Sequence, residues 1–167
     1  DCGVNVALYS IYFIDQNVGW AVGGNNYYGQ HGYIFHTTDG GETWTGQNIE
    51  TNSILYSVHF FDQTNGWAIG ENGEIHKTTD GGDNWISQIS GINYGYPNQL
   101  NSVYFIDYTT GWAVGYSYPN GSGEILKTTD GGQIWTEKAN GGYVLQSVYF
   151  VDHLTGWTVG RYPNTSI

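Results

Sequence analysis

SVHFFDQTNGWAIGENGEIHKTTDGGDNW, residues 57–85, decides the fold. It opens with a run rich in β-branched and aromatic residues, then Asp and three variable residues, then Gly-Trp-Ala-Ile-Gly. Two short strands joined by a hairpin loop read this way. Ile75–Thr79 supplies a third strand, and a fourth begins at Trp85 after Asp-Gly-Gly. In that turn Gly supplies positive φ and Asp bonds its own backbone. The first block recurs as SIYFIDQNVGWAVG (10–23), SVYFIDYTTGWAVG (102–115) and SVYFVDHLTGWTVG (147–160). The second recurs as IFHTTDGGETW (34–44) and ILKTTDGGQIW (125–135). Gly-Trp falls at 19–20, 66–67, 111–112 and 156–157, so the period is about 45 residues.

Composition narrows the class. The chain has 167 residues, 26 Gly, 17% aromatics and one Cys, with 4 Lys+Arg against 15 Asp+Glu for a formal charge of −11. It is too aromatic for disorder and has no apolar run long enough for a membrane helix. Four cations cannot form a nucleic-acid footprint, and one Cys cannot form a disulfide framework. The chain begins at Asp1 rather than Met, as expected of a processed protein or a fragment. No segment carries a 3.6-residue apolar period.

Four strands per ~45 residues is the period of a β-propeller blade. The expected fold is therefore all-β: a propeller of four-stranded antiparallel blades, with about three and a half blades in 1–167. The repeats run approximately 8–52, 53–98, 99–143 and 144–167, the last partial. Such an arc belongs to a larger propeller or to an assembly that completes the ring.

TTDGGETW, TTDGGDNW and TTDGGQIW resemble the Asp box of bacterial-neuraminidase-type (BNR) repeats. Together with SVxFxDxxxGWAVG, the chain resembles the photosystem II stability/assembly-factor-like propeller family. The resemblance implies fold more strongly than function, because such repeats occur in assembly factors, secreted bacterial surface proteins and xyloglucanase-type hydrolases. It also implies that a sialidase would need an arginine triad, and this chain has only Arg161.

Asp39, Asp80 and Asp130 read as structural Asp-box residues with Trp44, Trp85 and Trp135. No metal and no cofactor are expected, a calcium ion at the Asp-box turn being the alternative. The indoles, including Trp20, Trp67, Trp112 and Trp157, read as packing between blades. The five His fall in different repeat registers, with His59 in the place of Tyr12, Tyr104 and Tyr149. Glu74 and Glu124 share one repeat position and read as solvated strand residues. No nucleophile elbow, phosphate loop or zinc-protease helix occurs.

The copies differ mainly in two connections, from strand two to three and from strand four to the next blade. In an up-and-down blade both lie on one face of the disc. They are rich in Tyr, Asn and Gly, residues suited to binding loops on a rigid scaffold. Tyr27, Tyr28, Tyr94, Tyr96, Tyr116, Tyr118 and Tyr162 are the candidate ligand-binding residues.

The expected function is a non-catalytic binding or scaffold propeller recognising a glycan or a protein through this face. Its expected setting is an extracellular or cell-surface bacterial protein, ahead of the periplasm or thylakoid lumen. The alternatives are a structural subunit of an extracellular fibre or adhesin, which includes a homo-oligomer completing the ring, and a fragment of a xyloglucanase-like glycoside hydrolase. A photosystem-assembly role ranks below these, because an acidic chain has no basic patch with which to grip a partner.

Overall fold

The computed structural model describes residues 5–25, 31–91, 98–117 and 122–162. Every element in it is a strand. The first sheet is β1 (Ala7–Phe13), β2 (Gly19–Asn25), β3 (His31–Thr37) and β4 (Thr45–Gln47). The second is β5 (Leu55–Phe60), β6 (Gly66–Gly70), β7 (Ile75–Thr78) and β8 (Ile86–Gln88). The third is β9 (Gln99–Phe105), β10 (Gly111–Ser117), β11 (Ser122–Thr128) and β12 (Thr136–Gly141). The fourth holds β13 (Val144–Phe150) and β14 (Gly156–Arg161). Each sheet is an antiparallel meander in chain order. The propeller of three four-stranded blades and a partial fourth is borne out.

First strands lie side by side from sheet to sheet: β1 against β5, β5 against β9, β9 against β13. They make the inner wall. Side chains of a strand alternate, so each first strand shows one set to the preceding sheet and one to the next. Ser and Tyr face forward. Ser10 Oγ accepts from Val58 N–H at 3.3 Å, Ser57 Oγ from Val103 N–H at 3.2 Å, and Ser102 Oγ from Val148 N–H at 3.2 Å. Phe faces back. Phe60 stacks on Trp20, Phe105 on Trp67 and Phe150 on Trp112, each with centroids 3.5 Å apart. Trp20 Nε1–H then donates to the Gly81 carbonyl at 3.0 Å, and Trp67 Nε1–H to Gly131 at 3.3 Å. The Asp-box turn of one blade is thus locked onto the indole of the blade before it.

Two features of Gly-Trp-Ala-Ile-Gly follow from this packing. A Cβ on Gly66 would lie 2.5 Å from the Phe60 ring, which covers it. A Cβ on Gly70 would lie 2.0 Å from the Ile54 carbonyl oxygen, because a β-bulge beside Leu55 pushes the first strand inward. The same bulge occurs in β1, β9 and β13, skipping Tyr9, Asn101 and Gln146 as it skips Tyr56.

Not every indole is buried between blades. Trp20 and Trp67 are fully buried and Trp112 nearly so, whereas Trp157 is exposed, because no further sheet stands beyond β13–β14 among the described residues.

His59 occupies the Tyr position of its repeat and packs between the rings of Tyr12 (4.9 Å) and Tyr104 (5.0 Å). Its Nε2 lies 3.1 Å from the Phe105 carbonyl. Burial lowers its pKa from 6.5 to about 4, although that carbonyl favours the protonated ring. The folded state therefore resists a proton that the unfolded chain accepts. Stability contributed by the neutral ring is full above pH 6.5 and declines as pH falls towards 4, by about 3 kcal/mol in all. His59→Tyr, which restores the residue of the other three repeats, is expected to remove this decline. Thermal melts at pH 7 and pH 4.5 measure it.

Candidate functional site

The two faces of the arc are built from different connections. On one face each Asp box meets the hairpin of its own blade: Gly40 N–H donates to Asn17 O (2.8 Å), Gly81 to Thr64 O (2.9 Å) and Gly131 to Thr109 O (2.8 Å). Within the turn, Thr37 Oγ1–H donates to Asp39 Oδ1 at 2.7 Å, while Thr43 N–H and Oγ1–H donate to the same carboxylate at 2.9 and 2.6 Å. Asp80 takes Thr78 and Asn84 in the same way, and Asp130 takes Thr128 and Ile134 N–H. Both turn glycines hold positive φ in every box, 74° and 92° at Gly40 and Gly41. The Thr43 hydroxyl and amide, then Thr37, pull the Asp39 pKa to about 2, and Asn84 and Thr78 do the same for Asp80. Trp44 and Trp85 are half-buried and Trp135 is buried. Among the described residues no group of three His, Cys, Asp or Glu stands close enough to hold a metal ion.

On the opposite face β2 and β10 end and the first strands β1, β5, β9 and β13 begin. The bulges place Tyr9, Tyr56, Asn101 and Gln146 at the loop-side ends of the first strands, around the mouth of the inner wall. Tyr9 and Tyr56 meet edge to face at 5.1 Å. Tyr56 Oη–H donates to Glu71 Oε1 at 3.0 Å, and Glu71 Oε2 accepts from Ile54 N–H at 3.3 Å. Burial raises the Tyr56 pKa strongly, followed by the charge and hydrogen bond of Glu71, with Tyr9 and Tyr116 adding to it. Tyr116 Oη–H donates to Gln99 Oε1 at 3.0 Å, Gln99 Nε2–H to Asn101 Oδ1 at 2.6 Å, and Asn101 Nδ2–H to Leu145 O at 2.6 Å. Backbone bonds knit the same region: Glu71 N–H to Ile54 O at 2.9 Å and Gly73 N–H to Asn98 O at 3.1 Å. The result is a preorganised surface of aromatic edges, amides and one carboxylate spanning three blades.

Of the seven loop-face tyrosines expected to bind, Tyr116 lies in this network. Tyr162 lies at the fourth sheet, where its hydroxyl is 3.0 Å from that of Tyr143 and the rings are 4.6 Å apart. Tyr27, Tyr28, Tyr94, Tyr96 and Tyr118 lie outside the described residues. Tyr9, Tyr56, Gln99 and Asn101 were not singled out by sequence reasoning. The signal was the second position of Leu-x-Ser-Val-x-Phe, which varies among Tyr, Tyr, Asn and Gln inside an otherwise constant apolar strand.

Glu74, immediately before β7, and Glu124, in β11, are not the solvated strand residues expected. Glu74 accepts from His76 Nε2 at 2.9 Å and from the Thr51 hydroxyl. Glu124 is only 9% exposed, and its Oε2 has no hydrogen-bond partner among the described residues. Burial raises its pKa, the Ser117 hydroxyl opposes this, and the charge of Glu137 adds to it. A raised carboxyl pKa means the folded state holds its proton more tightly, so stability falls as pH rises past the ordinary carboxylate range. Glu124→Gln is expected to stabilise the fold by about 1 kcal/mol at pH 7 and by little at pH 4. Urea melts at the two pH values read the difference.

Comparison with known proteins now adds the family. The family model described as photosynthesis system II assembly factor YCF48 matches residues 1–85 and again 42–138. No curated protein sequence matches significantly. Among solved structures the chain is similar to one titled YCF48 bound to D1 peptide, with TM-score 0.67 and 24% identity over 86% of this chain and 44% of that one. It is similar to YCF48 from Cyanidioschyzon merolae, with TM-score 0.69 and 18% identity over 93% of this chain and 48% of that one. It is also similar to the GH74 enzyme of Niastella koreensis, with TM-score 0.64 and 17% identity over 85% of this chain and 24% of that one. At these identities the likenesses show the fold. The chain spans less than half the length of each of the three structures.

The family match corrects one expectation. A secreted or cell-surface location does not hold, because an assembly factor of photosystem II acts where that complex is built. A photosystem-assembly role ranks low on charge alone. Scarcity of Lys and Arg excludes a basic patch, but tyrosines and amides also make protein-binding surfaces. The chain is a β-propeller segment and belongs to the family described as photosynthesis system II assembly factor YCF48.

Proposed function

We propose that this propeller segment binds an extended polypeptide of a photosystem II subunit at its loop face. The observation that carries the reading is the mouth cluster of Tyr9, Tyr56, Tyr116, Glu71, Gln99 and Asn101. An extended peptide offers alternating amide groups and side chains. Amide and carboxylate groups suit the first, and rigid tyrosine rings suit the second at low entropic cost. A family relative is titled as bound to a D1 peptide, which makes that peptide the natural probe. The long Tyr-bearing connections, with Tyr27, Tyr28, Tyr94, Tyr96 and Tyr118, extend the same face in this reading.

Titration calorimetry with a synthetic D1 peptide tests it. Tyr56→Ala and Tyr116→Ala are each expected to weaken binding about tenfold, the cost of losing an aromatic anchor of ~1.4 kcal/mol. Asn84→Ala, on the Asp-box face, is expected to leave affinity unchanged. Absence of binding, or equal loss from Asn84→Ala, contradicts the reading. Glycan recognition by the same tyrosines is the second ligand class, and the same calorimetry with β-glucan oligosaccharides discriminates it.

A further inference from the structure

A groove of about 300 Å³ opens between the outer strands of the first and second sheets. Asn48 and Glu50 reach it from the segment after β4, His76 from β7, and Asp83, Trp85 and Ser87 from the second Asp-box turn and β8. It lies on the opposite side of the blades from the inner wall, because β4 and β8 are the last strands of their sheets. The repeat architecture does not require these residues. At the equivalent positions of the next junction Asn48 is replaced by Ile89, Glu50 by Gly91, His76 by Leu126 and Asp83 by Gln133, and only the indole is kept, as Trp135. Trp135 is buried there, whereas Trp85 is half-buried and lines the groove. The exposed carboxylates of Glu50 and Asp83 enter the groove, and no Lys or Arg lines it. His76 adds a directed acceptor. Its side chain is 4% exposed, and its Nε2 is held 2.9 Å from Glu74 Oε2, which also accepts from the Thr51 hydroxyl. Bonding to a carboxylate fixes the ring proton on Nε2, so Nδ1 keeps its lone pair.

We propose that this groove binds an arginine side chain of a protein partner, at a site separate from the mouth. Charge complementarity carries the choice: two carboxylates and an imidazole lone pair call for a cation that donates N–H groups. A guanidinium meets every part of the set. It is planar and stacks on an indole, and its fork of N–H donors serves carboxylates and neighbouring acceptors together. An ammonium is a compact point charge and uses the indole less well. A neutral sugar could stack on Trp85 but would leave both carboxylates without a counter-charge. Among the described residues no group of three His, Cys, Asp or Glu is close enough to make the groove a metal site.

Titration of the blocked peptide Ac-Gly-Arg-Gly-amide into the isotope-labelled 167-residue chain, followed by heteronuclear NMR, tests the proposal. Saturable shifts are expected at the Trp85 indole N–H and at the Asp83 and Ser87 amides, with the millimolar affinity of a single side chain. Replacing the arginine by citrulline, which has the same shape and no charge, is expected to weaken binding about tenfold, and Glu50→Gln and Asp83→Asn about fivefold each. Glu42→Gln removes the same charge at the first Asp-box turn and is expected to change nothing. All three substituted positions are exposed, so the spectra of the variants are expected to keep the wild-type fold. Absence of saturable shifts in the groove overturns the proposal, and so does equal binding of the citrulline peptide. An equal loss from Glu42→Gln overturns it as well, because attraction to net charge alone would then suffice. Saturation of the groove by calcium or cellobiose but not by the arginine peptide assigns it to another ligand and also overturns the proposal.

Discussion

Trp67→Ala is expected to destabilise the protein by about 3–5 kcal/mol, the range for deleting a fully buried indole. At this chain length the melting temperature falls by roughly 10 °C or more. Three contacts go together. The ring is 0% exposed and stacks on Phe105 at 3.5 Å. Its Nε1–H donates to Gly131 O at 3.3 Å, and Lys77 Nζ sits 5.2 Å above it. Removing the indole leaves a cavity between two blades, with Lys77 and Gln88 as the second sheet's remaining donors to the Gly131 carbonyl of the third Asp box. Trp157→Ala, the same repeat position in dilute protein, is expected to cost under about 0.5 kcal/mol, as surface substitutions do. Scanning calorimetry on both variants reads the contrast. Equal losses would mean that the indoles act within their own sheet rather than between sheets.

Gly70→Ala is the second large effect, and its cause is steric. The new methyl would stand 2.0 Å from the Ile54 carbonyl oxygen and 3.0 Å from Leu55 Cα, both backbone atoms held by the bulge. No rotamer change relieves that overlap, so the bulge must flatten and withdraw Tyr56 from the mouth. The expected cost is at least ~3 kcal/mol, the upper end for overpacking. Gly115→Ala, 1.8 Å from Gln99 O, is expected to behave alike and to disturb the Gln99–Asn101 network. Gly142→Ala, with nothing within 4 Å, is expected to be silent. Urea melts of the three variants measure the order. If Gly70→Ala were tolerated, the bulge would not be a fixed part of the blade.

The blades were legible because their backbone demands are written in side chains. Asp-Gly-Gly encodes two consecutive positive φ values, and Gly-Trp marks where a Phe ring lies on bare backbone. His59 announced its place in the inner wall by aligning with three tyrosines. What stayed hidden depends on neighbours rather than on local pattern. Trp157 has the same sequence surroundings as Trp67, yet lacks the covering sheet. Glu124 sits in a strand position that looks solvated, but its carboxylate is buried. Tyr9, Tyr56 and Asn101 were missed because a bulge adds one residue without a turn signal. Sequence attention went to the long loops, while Tyr56 and Asn101 reached the same face from inside regular strands.

Peptide recognition at the loop-side mouth of a rigid Asp-box propeller is the centre of this account. Amide hydrogen exchange of the chain with and without a D1 peptide tests it most directly. Protection is expected to rise at Tyr56, Glu71, Gln99, Asn101 and Tyr116, while the turns around Asp39, Asp80 and Asp130 stay unchanged. Protection confined to the Asp-box turns, or no change at the mouth with peptide in excess, would contradict it.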